Sequence, residues 1–195
     1  METSDATEGQ HLARIELVLS FVNTRADAGR RTELFEAADG FALWAGRLGL
    51  LDESAMVTDA DASFAREMRG ALVTMLLAHA DDPTISSQTL RSAENFLRQI
   101  ADRYPLVSTL SADGAELRAA SGGVTGTLGT ILAAATEAAL TDEWRRLKAC
   151  GNPPCRNGFV DRSRNRTQRF CSPGCGSQVS MRAFRQRKKQ LHPTE

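Results

Sequence analysis

The sequence contains no apolar run approaching the roughly 18 residues that a membrane-crossing helix requires. The longest candidates, ALVTMLLAHA (71–80) and LGTILAAATEAAL (128–140), are too short or are interrupted by Glu137. The opening METSDATEGQ lacks the basic-then-apolar order of a secretion signal. A cytoplasmic protein without a membrane partner is therefore expected.

Signs of catalysis are equally scarce. Only three histidines occur, His11, His79 and His192, far from one another and from any Ser or Cys pattern that suggests a triad. His79, at the end of an expected helix, reads as structural. The glycine-rich SGGVTGTLG (121–129) lacks the Lys-Ser/Thr of a phosphate-binding loop and reads as a plain flexible loop. Carboxylates are plentiful but fall on solvated helix faces rather than as an acid/base pair. No internal repeat appears, and no enzyme is expected.

Net charge is absent too, but only as a sum. Residues 1–143 carry 11 Lys and Arg against 22 Asp and Glu, whereas 144–195 carry 13 against 2. Such a split implies two parts with different partners, and a basic tail points first to nucleic acid.

Apolar spacing predicts a mainly helical first part. Leu12, Ile15, Leu19 and Val22 form one stripe, followed by a connection turning at Gly29. Leu34, Phe35, Ala38, Ala42, Ala45 and Leu48 mark a second helix that stops near Gly49. A third begins at a cap, Asp61 or Ser63, and ends at Asp81-Asp82-Pro83. A fourth carries Leu90, Ala93, Leu97 and Ile100. The Ser-Ala-Asp-Gly of 111–114 between two short runs predicts a β-hairpin. An Ala-rich helix from about Gly126 to Lys148 then delivers the chain into the cysteines. Residues 1–10 are expected to be disordered, and a truncation near Glu143 is expected to fold alone.

All four cysteines lie in CGNPPCRNGFVDRSRNRTQRFCSPGC, as Cys150, Cys155, Cys171 and Cys175. Two short-spaced pairs can supply the four thiolate corners of a zinc tetrahedron, and GNPP and SPG favour the tight turns this needs. GFV and QRF read as the strands of a hairpin between the two knuckles, and GSQVSMRAFRQRKKQL as a basic helix. The layout is that of a treble-clef-like finger closed by Zn²⁺. The rival readings are two disulfides, disfavoured in a reducing compartment, or four unconnected buried cysteines.

This window resembles the CGNR zinc finger of a bacterial family classed as stress-induced transcription regulators. The similarity runs through Phe159, Asp161, Ser163, Asn165, Arg169 to Ser172, Cys175-Gly176, and Arg182, Phe184, Arg185 and Arg187. Upstream, LVLSFVNTR resembles the opening of the ABATE domain through Phe21, Val22, Asn23 and Thr24. The chain departs from the family at Ser177-Gln178, which stand for Asn-Arg, and at Ser20, which replaces an acidic residue. Its last cysteine pair is also one residue tighter than the commoner spacing.

The resemblance implies an ABATE-like helical domain over 11–147 and the finger with its basic helix over 148–191. It implies a DNA-binding regulator whose first domain senses a small-molecule or protein signal, or forms a homodimer. The alternative is a zinc-stapled protein-interaction module without direct nucleic-acid contact. RNA stacking on Phe159 and Phe170 is a further possibility, although both suit the finger's small core. The expected nucleic-acid contacts are Arg164, Arg166, Arg169, Gln178, Arg182, Arg185 and Lys189. A 100° step per residue puts Gln178, Arg182, Arg185 and Lys189 on one helix face, with Met181, Phe184 and Leu191 on a sector packed against the finger.

Overall fold

The apolar stripes of the first 140 residues become five helices and a hairpin around one core. The computed structural model describes residues 2–26, 32–112 and 114–191, with side chains from residue 12 to 190 among them. The expected turn at Gly29, Asp113 of the hairpin turn, the side chains of His11 and Leu191, and His192 lie outside the described residues.

Helix α1 spans Glu2–Val22 and so includes most of the segment expected to be disordered. No proline interrupts it, so the helix can propagate outward from its packed end. Helix α2 covers Ala38–Arg47 and is followed by Gly49 at φ 67°. Leu34 and Phe35 precede α2 rather than opening it, and Phe35 is fully buried among Phe21, Phe41 and Trp44, with ring centroids 5.2–5.9 Å away. Helix α3, Asp59–His79, is capped by Thr58, which accepts from the Asp61 N–H while the Asp61 carboxylate accepts from the Thr58 N–H. Asp61 is thus the third residue of a capping box, a device worth about 1 kcal/mol. Helix α4, Ser87–Arg103, is capped by Ser86.

Strands β1 (Leu106–Ser111) and β2 (Gly114–Ala119) pair antiparallel, Leu106 opposite Ala119, as the expected hairpin. Helix α5, Gly123–Ala139, packs on α1 and β2. The glycine-rich segment is therefore the start of a helix, not a loop. A Cβ at Gly126 would lie 2.2 Å from the Ser121 carbonyl oxygen, and one at Gly129 would lie 2.9 Å from the Ala119 Cβ. Glycine is what lets α5 lie this close to β2.

The long helix expected to reach Lys148 ends at Ala139, where the Thr141 hydroxyl donates to the Ala138 carbonyl at 2.8 Å. One 3-10 turn (Trp144–Arg146) leads into β3, Leu147–Ala149. β3 is extended because it pairs with β4, Gly158–Val160, and lies on α3. Leu147 and Ala149 are fully buried in the same core as α1, α3 and α5. The finger thus shares the helical domain's core rather than hanging from it, and a truncation near Glu143 would strip that core of Leu147 and Ala149. The last helix, α6, is Pro173–Leu191. Among the described residues no helix is long and apolar enough to cross a membrane.

Candidate metal centre and finger surface

The first knuckle is a turn between β3 and β4. The Asn152 carbonyl accepts from the N–H groups of Cys155 at 2.8 Å and Arg156 at 3.1 Å, and the Cys150 N–H donates to the Asn157 carbonyl at 2.9 Å. The second pair is not a free turn: Ser172 precedes α6, its hydroxyl accepting from the Cys175 N–H at 3.3 Å, and Pro173 stands first in the helix, where a missing N–H costs nothing. Cys175 therefore sits in the first turn of α6.

The hairpin expected between GFV and QRF is not formed. GFV pairs with Leu147–Ala149, the strand entering the first knuckle, and QRF is carried by a buried ion pair instead. Lys148 is 2% exposed, and its ammonium donates to the Asp161 carboxylate at 2.8 Å and to the carbonyls of Arg166 at 2.6 Å and Gln168 at 3.2 Å. All three ammonium protons are used. Asp161, fully buried, also accepts from the Ser163 N–H and hydroxyl at 2.8 and 2.6 Å and from the Gln168 N–H at 3.0 Å. Burial alone would raise the Asp161 pKa, but Lys148 and these donors outweigh it and bring the value to about 2. The loop DRSRNRT thereby folds around one charged post and returns the chain to Cys171. A bond from the Gly151 N–H to the Arg169 carbonyl at 2.8 Å then joins the two knuckles.

The result is a cluster of four sulfurs, all within 4.8 Å of one another, from Cys150, Cys155, Cys171 and Cys175. The Cys155–Cys171 and Cys171–Cys175 sulfurs are 3.6 and 3.8 Å apart. Four thiolates at about 2.3 Å from one tetrahedral zinc would be separated by about 3.8 Å, so this donor set fits the ion. No pair is at bonding distance, and all four cysteines are free. Burial holds the Cys155 thiol up at about 11 and raises that of Cys171, so a cation is what would let both ionise. Cys175 goes the other way, to about 7, because the Asn152 side chain hydrogen-bonds its sulfur. All four corners are protein sulfurs, the pattern of a structural rather than catalytic zinc site.

The finger is locked onto the helical domain by several side chains. Asn23 accepts from the Gly158 N–H at 2.6 Å and donates to its carbonyl at 3.2 Å, holding β4 to the end of α1. Arg156 bonds the buried carboxylate of Asp82, and Arg169 donates to the carbonyls of Ala80 and Asp81, both at 3.3 Å. The His79 ring nitrogen Nδ1 lies 2.8 Å from the Leu147 carbonyl, which can only accept. Burial lowers the His79 pKa, so this is a neutral, structural imidazole.

Of the expected nucleic-acid contacts, Arg164, Arg169, Gln178, Arg185 and Lys189 are exposed. Arg166 is half-buried, 3.5 Å from Asp142, and Arg169 is committed to the end of α3 as described. Gln178 and Arg182 share one partner: the Asn152 amide donates to Gln178 Oε1 at 2.9 Å, and Arg182 donates to Asn152 Oδ1. The expected packing of Met181 and Phe184 against the finger is reversed, as they are 51% and 57% exposed. What lies beneath α6 instead is Asn152, 1% exposed, together with Phe170, whose ring would lie 3.3 Å from a Cβ at Gly176. Asn152 and Lys148 are the positions that spacing alone does not reveal. The only hint is a polar residue inside each short motif, GNPP and LKA.

Comparison with known proteins agrees with this architecture. No curated protein matches the chain. Residues 146–188 match the CGNR zinc finger, and residues 16–143 match the ABATE family, described as "Putative stress-induced transcription regulator". The four-cysteine site thus falls within the finger match and the buried FVNT segment within the other, and the chain belongs to the ABATE family, with a CGNR zinc finger at its C-terminal end.

Proposed function

We propose that this protein is a DNA-binding transcription regulator of the cytoplasm, in which Zn²⁺ held by Cys150, Cys155, Cys171 and Cys175 sets the pose of α6. The zinc supplies cross-linking and no chemistry. The chain's own residues do the positioning: Lys148 and Asp161 hold the loop, and Asn152 ties the first knuckle to α6. The ABATE domain, over 11–147, serves for sensing a small-molecule or protein signal or for homodimer formation, and the finger occupies 148–191.

The observation that carries this reading is the one-signed outer surface of the finger. Residues 162–190 contain no Asp or Glu. Arg162 and Arg164 on the loop and Arg185, Arg187, Lys188 and Lys189 on α6 are all exposed. Clustered cations that have no partner among the described residues are suited to phosphates. The interaction-module reading has support of its own, because Arg156, Arg166 and Arg169 are spent on the chain's acidic domain. That intramolecular use leaves the six outer cations unexplained, and DNA accounts for them.

The test is binding of the zinc-loaded full chain to genomic DNA fragments across a salt series. Affinity that falls linearly in log K against log salt is expected. Absence of binding at low salt would instead leave the finger as a protein-interaction module.

A further inference from the structure

The outward face of α6 carries two exposed apolar side chains, Met181 and Phe184, with Lys188 between them on the wheel and further cations on both flanks. Stepping 100° per residue, Ser177, Met181, Phe184 and Lys188 fall within about 60° of one another. The half-buried residues Cys175, Val179, Arg182 and Ala183 lie on the opposite side, toward the finger. Asn152 fixes this rotation by holding Gln178 and Arg182. The helix therefore presents Met181 and Phe184, each more than half exposed, to whatever it meets. On the wheel, Arg187 lies on one flank of that stripe and Arg185 on the other.

We infer that Met181 and Phe184 form the base-reading stripe of α6 and cover thymine methyl groups in a DNA major groove, an assignment that rests on the DNA-binding reading above. The groove is about 12 Å wide, admits one helix, and has phosphate walls on both sides with the thymine 5-methyl as its apolar feature. Cations on both flanks with apolar side chains between them complement that cross-section. A second copy of α6 is a poor occupant, because it would set Arg185, Arg187, Lys188 and Lys189 against their own kind. Gln178 and Arg182, the more obvious base readers, are each tethered to Asn152, through Gln178 Oε1 and one Arg182 amino group.

The experiment compares the zinc-loaded full chain on poly(dA–dT) and poly(dA–dU), duplexes differing only in the thymine methyl. Tighter binding to poly(dA–dT) is expected, by about fourfold for each methyl covered. In the double variant Met181→Gln, Phe184→Gln the ratio should fall to about one with an unchanged salt slope, since every cation remains. Both side chains are exposed, so zinc content and circular dichroism should match the wild type. Equal wild-type affinity for the two polymers would overturn the methyl assignment and leave DNA binding standing. A ratio preserved in the double variant would also overturn it. No binding to either polymer at low salt would remove the DNA-binding reading and this inference together.

Discussion

Lys148→Met removes the ammonium while keeping an unbranched side chain of similar length, and so isolates the charge at the centre of the finger. The Asp161 carboxylate, fully buried, then faces no cation, and the carbonyls of Arg166 and Gln168 lose their shared donor. Breaking a buried pair from one side costs about 3–5 kcal/mol. The damage falls on the loop that brings Cys171 to the cluster, so in a metal-coupled fold it should appear as weaker zinc binding. Converted at about 1.4 kcal/mol per decade, the zinc Kd should rise by about two to three and a half orders of magnitude. Competition with a chromophoric chelator at fixed pH reads this directly. In an Asp161→Asn background the same substitution should cost clearly less, because no charge is left stranded. A Kd within about threefold of wild type for Lys148→Met would refute the reasoning and show that the pair is not what holds the loop.

Other consequences follow from the docking contacts and the metal. Gly158→Ala should destabilise by about 1–3 kcal/mol, since the new Cβ would lie 2.6 Å from Val22 Cγ2; urea unfolding measures it. Chelating the zinc should remove helical circular dichroism equivalent to α6, whose first turn carries Cys175, while α1–α5 stay folded; full retention of helicity would count against the metal's role. Glu33 adds a pH signature: burial pushes its carboxyl up, but hydrogen bonds from Arg69 and the Phe35 N–H and the nearby arginine charges outweigh this and hold it below the ordinary 4.5. Its contribution is present above that value and lost as pH falls through the lowered one, so the stability gap between wild type and Glu33→Gln should be fullest at pH 7 and narrow in acid.

Features that depend on local chemistry could be read from residue order alone. Helices α3, α4 and the start of the finger were legible because apolar spacing and paired cysteines act over a few positions, although the cap of α3 is Thr58 rather than the expected Asp61 or Ser63. The four ligands needed only their spacing, since a thiolate tetrahedron has one size. The tertiary structure decided everything that depends on what lies across a contact. Glycines 126 and 129 read as flexibility until α5 is seen passing against Ser121 and Ala119. Leu147–Ala149 reads as helix until it finds β4 and the face of α3, where pairing and burial override an Ala-rich approach. The face that α6 turns outward was the least legible of all. A helical wheel gives the angles between side chains but not the zero of rotation, and that zero is set by one buried amide, Asn152, 26 and 30 residues upstream of Gln178 and Arg182.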